Sequence, residues 1–229
     1  MAARVEEIGH EKNRVLVVDD FMDEPQLLIQ QATAMAPFPA ETETYYPGLR
    51  RLITPKDADT EDHVLESLEA LAPLIGQVFG LRSFMPTEAS FSLVTRRPHE
   101  LSQAQRLPHY DKTDPNFLAV LHYLSPTPQG GTSFYRHRST GFERIAPERE
   151  GQYAFVRGQE VTAAGEMPAS YFTDSDRHFE RIARFEARFN RLLIYRGSLL
   201  HSGDIPADFT FSSDPSVGRL TCNIFLQGD

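Results

Sequence analysis

His109 and Asp111 stand two residues apart in the string LPHYDKTD, and His201 lies far downstream in RLLIYRGSLLHSGD. On an extended backbone, residues i and i+2 project from the same face, so this imidazole and carboxylate would converge on one point. Two histidines and one carboxylate in a facial arrangement suit divalent iron and leave open coordination positions for reactants. The short pattern carries little weight alone. In a chain with 8 histidines, chance supplies roughly half of one His-x-Asp pair. His178-Phe179-Glu180 has ligand types at the same spacing, but Phe179, Ile182, Phe185 and Phe189 fall at helical steps. That periodicity predicts a helix over 174–189, where i and i+2 diverge by about 200°, so His178 is set aside. His201 follows an apolar, strand-like run at 192–195 and enters a Gly-Ser segment that could return a third ligand to the first two.

The elements that must position these residues are legible from periodicity. RVLVVD at 14–19 reads as a strand. It leads into a helix in which Leu27, Leu28 and Ala32 share a face, with Asp19, Asp20, Asp23, Glu24 and Pro25 at its start. Residues 36–55, rich in proline and aromatics and including Tyr45, Tyr46, Arg50 and Arg51, show no period and are expected to form a long ordered loop. From 59 to 79, Val64, Leu68, Leu71, Leu74, Ile75 and Val78 recur at three- and four-residue steps, the pattern of an amphipathic helix, with a kink expected at Pro73. Beyond Gly80, strand-like runs at 88–96, 115–124, 131–136, 152–157, 190–195 and 219–226 alternate with Pro and Gly turns. The expected fold is mainly β with N-terminal helices, an antiparallel sandwich or barrel. No repeat or flexible linker divides the chain, so one domain over 1–229 is expected, with 1–80 as a strand-helix-loop-helix support and 81–229 as the β core.

Composition narrows the functional classes. The 229 residues are 40% hydrophobic and 24% charged, ample for a buried core. A formal charge of -9 is the wrong sign for gripping phosphate backbones, which argues against nucleic acid as a partner. The single cysteine, Cys222, cannot form an intramolecular disulfide, and MAARVEEIGHEKNRV lacks the apolar run of a signal peptide or membrane span. A cytoplasmic location without membrane partners is the expectation.

The order His109-x-Asp111, then FLAVLHYLSPTPQGGTSFY, NRLLIYRGSLLHSGD and RLTCNIFL resembles the Fe(II)/2-oxoglutarate-dependent oxygenases, in texture the prolyl-hydroxylase-like branch. The carrying strings are Tyr123-Leu124 with Gly130-Gly131-Thr132-Ser133-Phe134, and the strand entering His201-Ser202-Gly203. The resemblance spans roughly 84–226, and the opening VLVVDDFMDEPQLL is similar to the way such enzymes begin. It implies a double-stranded β-helix, a jelly-roll of the cupin type, with His109, Asp111 and His201 as ligands of Fe(II). It also implies 2-oxoglutarate as cosubstrate and O2 as oxidant, with release of succinate and CO2. Related halogenases replace the acidic ligand by a small residue; Asp111 is present, so the resemblance implies hydroxylation.

Such an enzyme must neutralise the far carboxylate of 2-oxoglutarate, a task suited to a buried guanidinium. The family takes this base from the strand after the distal histidine, and Arg219 is the only Lys or Arg beyond His201. Its separation from His201 is longer than in relatives, so IPADFTFSSDPSVG is expected to be an inserted loop, placed to act as a lid. Alternation in AVLHYL puts Ala119, Leu121 and Tyr123 on one face and Val120, His122 and Leu124 on the other. The family pattern places Tyr123 on the cosubstrate carboxylate, with Thr221 on the Arg219 face as a further hydroxyl; as plain strand residues, both could instead be ordinary packing. The aromatic, basic loop Tyr45–Arg51 and the pair Arg96-Arg97 could line an entrance for an anionic or aromatic group, and Lys112 and Asp114 could contact substrate; all could equally be solvated surface. The substrate stays open between a small molecule and a peptidyl side chain. Two other readings remain open: a cupin-like metal- or ligand-binding protein without turnover, and a jelly-roll interaction module with incidental histidines.

Overall fold

The computed structural model describes residues 2–40, 46–127, 129–165 and 167–229. The chain opens with a hairpin, β1 (Ala2–Ile8) and β2 (Asn13–Asp19), followed by helix α1 (Gln26–Ala34). Strand β3 (Gly48–Leu52), helix α2 (Ala58–Phe79) and the long strand β4 (Phe84–Val94) come next. The core then runs through β5 (Phe117–Tyr123), β6 (Gly131–His137), helix α3 (Pro147–Ala164), β7 (Phe179–Glu186), β8 (Arg191–Arg196), β9 (His201–Asp204) and β10 (Leu220–Gly228). Among the described residues, no helix is long and apolar enough to cross a membrane.

Two antiparallel sheets face each other. Among the described residues, the larger has seven strands in the order β1-β2-β8-β5-β10-β4-β3, and the smaller has three, β7-β6-β9. This is the expected mainly-β architecture: a double-stranded β-helix built as two opposed sheets.

The alternation within the strands assigns each face. Leu118, Val120, Leu192, Ile194, Cys222 and Ile224 point outward from the large sheet into one core with Leu28 and Ala32 of α1 and Val64, Leu68, Leu71 and Ile75 of α2. Burying each such aliphatic side chain contributes about 1.5–3 kcal/mol. The helices are therefore a support layer over the outer face, as the 3.6-residue stripe requires. Val15, Val17, Ala119, Tyr123, Leu193 and Tyr195 point inward and pack on Phe134 and Phe185 of the small sheet.

Several local expectations are corrected. Residues 152–157 lie inside α3, not a strand: Pro147 starts the helix, and only Tyr153 of its own face is buried. Residues 174–189, read as a helix, contain strand β7, because alternate residues Phe179 and Phe185 enter the sheet core while pairing with β6 supplies the backbone hydrogen bonds. The loop over 36–55 contains β3, which completes the edge of the large sheet, and β1 was not anticipated, being mostly exposed. Pro25 stands at the N-cap of α1 in right-handed helical conformation, and α2 has Pro73 inside it.

Two glycines fix how closely the sheets are joined. Gly130 has φ +69°, and a Cβ there would sit 1.9 Å from the Asp204 carbonyl oxygen; at Gly131 it would sit 2.1 Å from that of Phe185. Only glycine lets this turn take the left-handed conformation against β9 while β6 lies flush on β7.

Candidate metal centre and carboxylate clamp

His109 lies in an isolated bridge, not in a strand, yet the bridge does what a strand would. The His109 N–H donates to the His201 carbonyl at 2.9 Å and the His201 N–H to that of His109 at 2.8 Å. The Asp111 N–H donates to the Gly197 carbonyl at 2.7 Å, which ties the carboxylate to the turn leading into His201. His109 Nε2 is 4.0 Å from Asp111 Oδ1, and His201 Nε2 is 3.8 Å from Asp111 Oδ2. The three ligand atoms lie within 4.8 Å of one another, a spacing that a single cation can bridge.

The orientation of the groups also suits a cation. The His201 Nδ1 donates to the Leu199 carbonyl at 2.8 Å. A carbonyl only accepts, so Nδ1 carries a proton and Nε2 is the ring nitrogen turned to face a metal. Asp111 Oδ2 is buried without a hydrogen-bond partner, an arrangement that costs free energy unless something else satisfies it. Burial holds the His109 imidazole well below its ordinary value, with His201 adding repulsion. Burial pushes the Asp111 carboxyl up, opposed by His201 and Arg50. Both shifts disfavour charge in the bare site, and a bound cation would reverse the balance at Asp111. His201 is 7% exposed but His109 is 33% exposed, so the centre is open on the His109 side.

That opening is a cavity of about 540 Å³ between the sheets. At one end the strand register sets Arg50, Ser92, Thr221 and Tyr123 in one row across β3, β4, β10 and β5. Arg219, just before β10, is 6% exposed. Its Nη2 donates to the Gly131 carbonyl at 2.9 Å, its guanidinium stacks 5.3 Å from the Tyr123 ring centre, and its Nε is buried without an acceptor. The Tyr123 hydroxyl lies 2.7 Å from Thr132 Oγ1. Tyr195 touches both regions: its ring centre is 5.0 Å from that of His201, and it feels the charges of Asp111 and Arg219. Burial keeps the Tyr46 phenol at about 12 and raises those of Tyr123 and Tyr195, so all three stay protonated. The result is one buried guanidinium ringed by neutral hydroxyls, a setting for a carboxylate.

The structure thus brings His109, Asp111 and His201 together, and places Arg219, Tyr123 and Thr221 at one end of the same cavity. His122 points the other way, against Phe21 and Asn190. His178 Nδ1 lies 3.3 Å from Glu160, and His178 is not among the clustered ligands. It precedes strand β7 rather than lying in the expected helix. Of the expected entrance residues, Tyr46 and Arg50 line the cavity while Arg96 and Arg97 do not, and Arg51 pairs with Asp57 at 2.8 Å; Lys112, expected beside the substrate, also lines it. Asp114 serves the fold, accepting from Gln227 at 3.0 Å, and Tyr45 lies outside the described residues. Thr132, Tyr195 and Tyr171 of the lining are not singled out as contacts by the sequence. Tyr195 carried a signal, being in phase with inward Leu193; Tyr171 carried none. Residues 205–219 form the expected loop, and it is packed: Ile205 and Phe209 join Val94, Leu101 and Tyr171 in a small core that walls the Arg219 end.

The opposed sheets define the double-stranded β-helix class of fold, here with a His-Asp-His cluster and a buried arginine between them. Solved structures agree on the fold. The non-haem alpha-ketoglutarate-dependent epimerase SnoN from nogalamycin biosynthesis is 12% identical, with 96% of this chain and 79% of that one covered and a TM-score of 0.56. HygX from Streptomyces hygroscopicus, with nickel, 2-oxoglutarate and hygromycin B bound, is 11% identical, with 95% and 84% covered and a TM-score of 0.54. By sequence, the chain belongs to a family of unknown function, DUF6445, whose model matches residues 1–226. No curated protein sequence matches it.

Proposed function

We propose that the chain is a non-haem Fe(II)- and 2-oxoglutarate-dependent dioxygenase that hydroxylates a small-molecule or peptidyl substrate. The carrying observation is the convergence of His109, Asp111 and His201, with an unsatisfied Asp111 oxygen, on a cavity that also holds buried Arg219. The donor set fits Fe(II): two imidazole nitrogens and one carboxylate, with room on the open side. Bound there, iron and 2-oxoglutarate would supply the oxidising power to insert an oxygen atom from O2 into a C–H bond, the keto acid leaving as succinate and CO2.

The chain's own residues do the rest. Leu199 orients His201 through Nδ1, and Gly197 holds the Asp111 backbone. Arg219 and the Tyr123 and Thr221 hydroxyls bind the far carboxylate of the cosubstrate, and Phe117, Leu121 and Phe225 give the cavity an apolar wall that excludes water. Retention of Asp111 supports oxygen transfer over halogenation. Net charge -9 supports a substrate other than nucleic acid, and the lone buried Cys222 fits a cytoplasmic setting without membrane partners.

The test is spectroscopic. Anaerobic addition of Fe(II) and 2-oxoglutarate should produce the weak visible charge-transfer band of the chelate, and Arg219→Ala should abolish it. Absence of the band in the intact protein would sink the reading. A metal-binding protein without turnover would bind Fe(II) through the triad, show no band, and be indifferent to Arg219→Ala. Succinate formation across a panel of metabolites and peptides then identifies the substrate.

A further inference from the structure

A second cavity, of about 300 Å³, lies outside the proposed active site where β2, the end of α2 and the turn after β8 meet. Its lining carries Lys12, Arg14, Arg144 and Arg196 against a single carboxylate, Glu11. In a chain of net charge -9, four cations around one pocket are a local inversion. The nearby acids are already engaged: Glu11 is shared between Arg144 at 3.4 Å and Arg149 at 2.6 Å, Glu143 pairs with Arg136 at 2.6 Å and accepts from the Glu11 N–H and Asn13, and Glu7 reaches Arg14 at 3.7 Å.

The ordinary explanation covers only part of this charge. Cations favour helix C-termini, and here Arg14 donates to the Val78 carbonyl at 3.0 Å and Arg196 to that of Phe79 at 2.9 Å. After those bonds, Arg196 Nη1 remains buried with no hydrogen-bond partner. Arg144 and Arg14 repel the Arg196 guanidinium, and burial with that repulsion lowers its proton affinity, Asp114 opposing. A buried N–H without an acceptor, amid like charges, is an unfavourable arrangement that an oxyanion would relieve.

We propose that this cavity is a binding site for a phosphate-class oxyanion, held by Arg196 from the floor and by Arg144, Arg14 and Lys12 from the rim. Its position is pointed: the turn that forms its wall is the one whose Gly197 and Leu199 carbonyls hold Asp111 and His201. The ligand is either free phosphate or a phosphate monoester.

Calorimetric titration of the full chain with inorganic phosphate, at fixed ionic strength in chloride, should show one saturable site. Arg144→Ala should weaken it about 5-fold or more and Arg196→Met about 10-fold or more, as expected for removing charge-assisted hydrogen bonds. Arg196 also anchors α2, so the half-exposed Arg144 keeps the test valid if Arg196→Met fails to fold. Arg219→Met should leave phosphate affinity unchanged. Tighter competitive binding of glycerol 3-phosphate would identify a monoester as the ligand, and weaker binding would identify free phosphate. No saturable binding to the native chain, unaltered binding to both cavity variants, or loss of binding in Arg219→Met would overturn the proposal.

Discussion

His109 and His201 exchange both backbone hydrogen bonds, at 2.9 and 2.8 Å, so the two histidines of the candidate centre are a directly opposed antiparallel pair. Their ring centres are 4.4 Å apart as a consequence. Pairing by backbone means that the spacing of the ligands does not depend on their side chains. His109→Ala should therefore leave the fold intact, with a melting temperature within a few degrees of the native one, while Fe(II) affinity falls by at least ~100-fold, as for loss of one of three ligands. Metal content after dialysis checks the second statement, and a large fall in melting temperature would refute the first.

At the clamp, the arginine and the tyrosine should separate in magnitude. Arg219→Met removes the buried guanidinium that stacks on Tyr123, and the dissociation constant for 2-oxoglutarate should rise by roughly 30- to 100-fold, equivalent to about 2–3 kcal/mol. Tyr123→Phe deletes a neutral donor and should cost only about 5- to 10-fold. Fe(II) affinity should be unchanged in both. A variant that loses iron as well as cosubstrate would show that the clamp is not separable from the metal centre.

Gly130 is the least replaceable loop residue on geometric grounds. Alanine would require a left-handed backbone at φ +69° and a Cβ 1.9 Å from the Asp204 carbonyl oxygen, so the turn between β5 and β6 must shift. Gly130→Ala should lower stability by about 2 kcal/mol or more in denaturant titration, whereas Gly141→Ala, also at positive φ but in open space, should cost only about 1 kcal/mol. Equal costs would mean that the close approach is unimportant.

His122 should give the folded chain a pH dependence unrelated to catalysis. Burial lowers its value from 6.5 to about 4, against a raising hydrogen bond to Asn190. The unfolded chain then binds more protons than the folded one between these limits. Stability is thus lost as pH falls below 6.5 and the loss levels off below about 4, in total about 3 kcal/mol. His122→Phe, against Phe21, should flatten this part of the curve in urea titrations at stepped pH. An unchanged slope would assign the dependence to other groups.

Much of the fold could be read from periodicity because one face of each main element is buried. The 3.6-residue stripe of α2 and the two-residue alternation of β5 survive in the sequence, since each must present apolar atoms to one side only. Where burial was weak or shared, reading failed: α3 buries little besides Tyr153, β1 is an exposed edge, and the phenylalanines of β7 mimic helical steps. His109, Asp111 and Arg219 were legible as types at suggestive spacings, and the alternation in AVLHYL correctly turned Tyr123 toward Thr221 and His122 away from it. Three things were not legible. That His109 pairs with His201 across a bridge, that Leu199 sets the tautomer of His201, and that the tyrosines Tyr46, Tyr171 and Tyr195 gather with Arg219 all depend on contacts between segments distant in the chain. A linear pattern records which side of its own element a residue faces. It does not record which residue from another element stands opposite, because that is settled by strand register and by how two sheets close on each other.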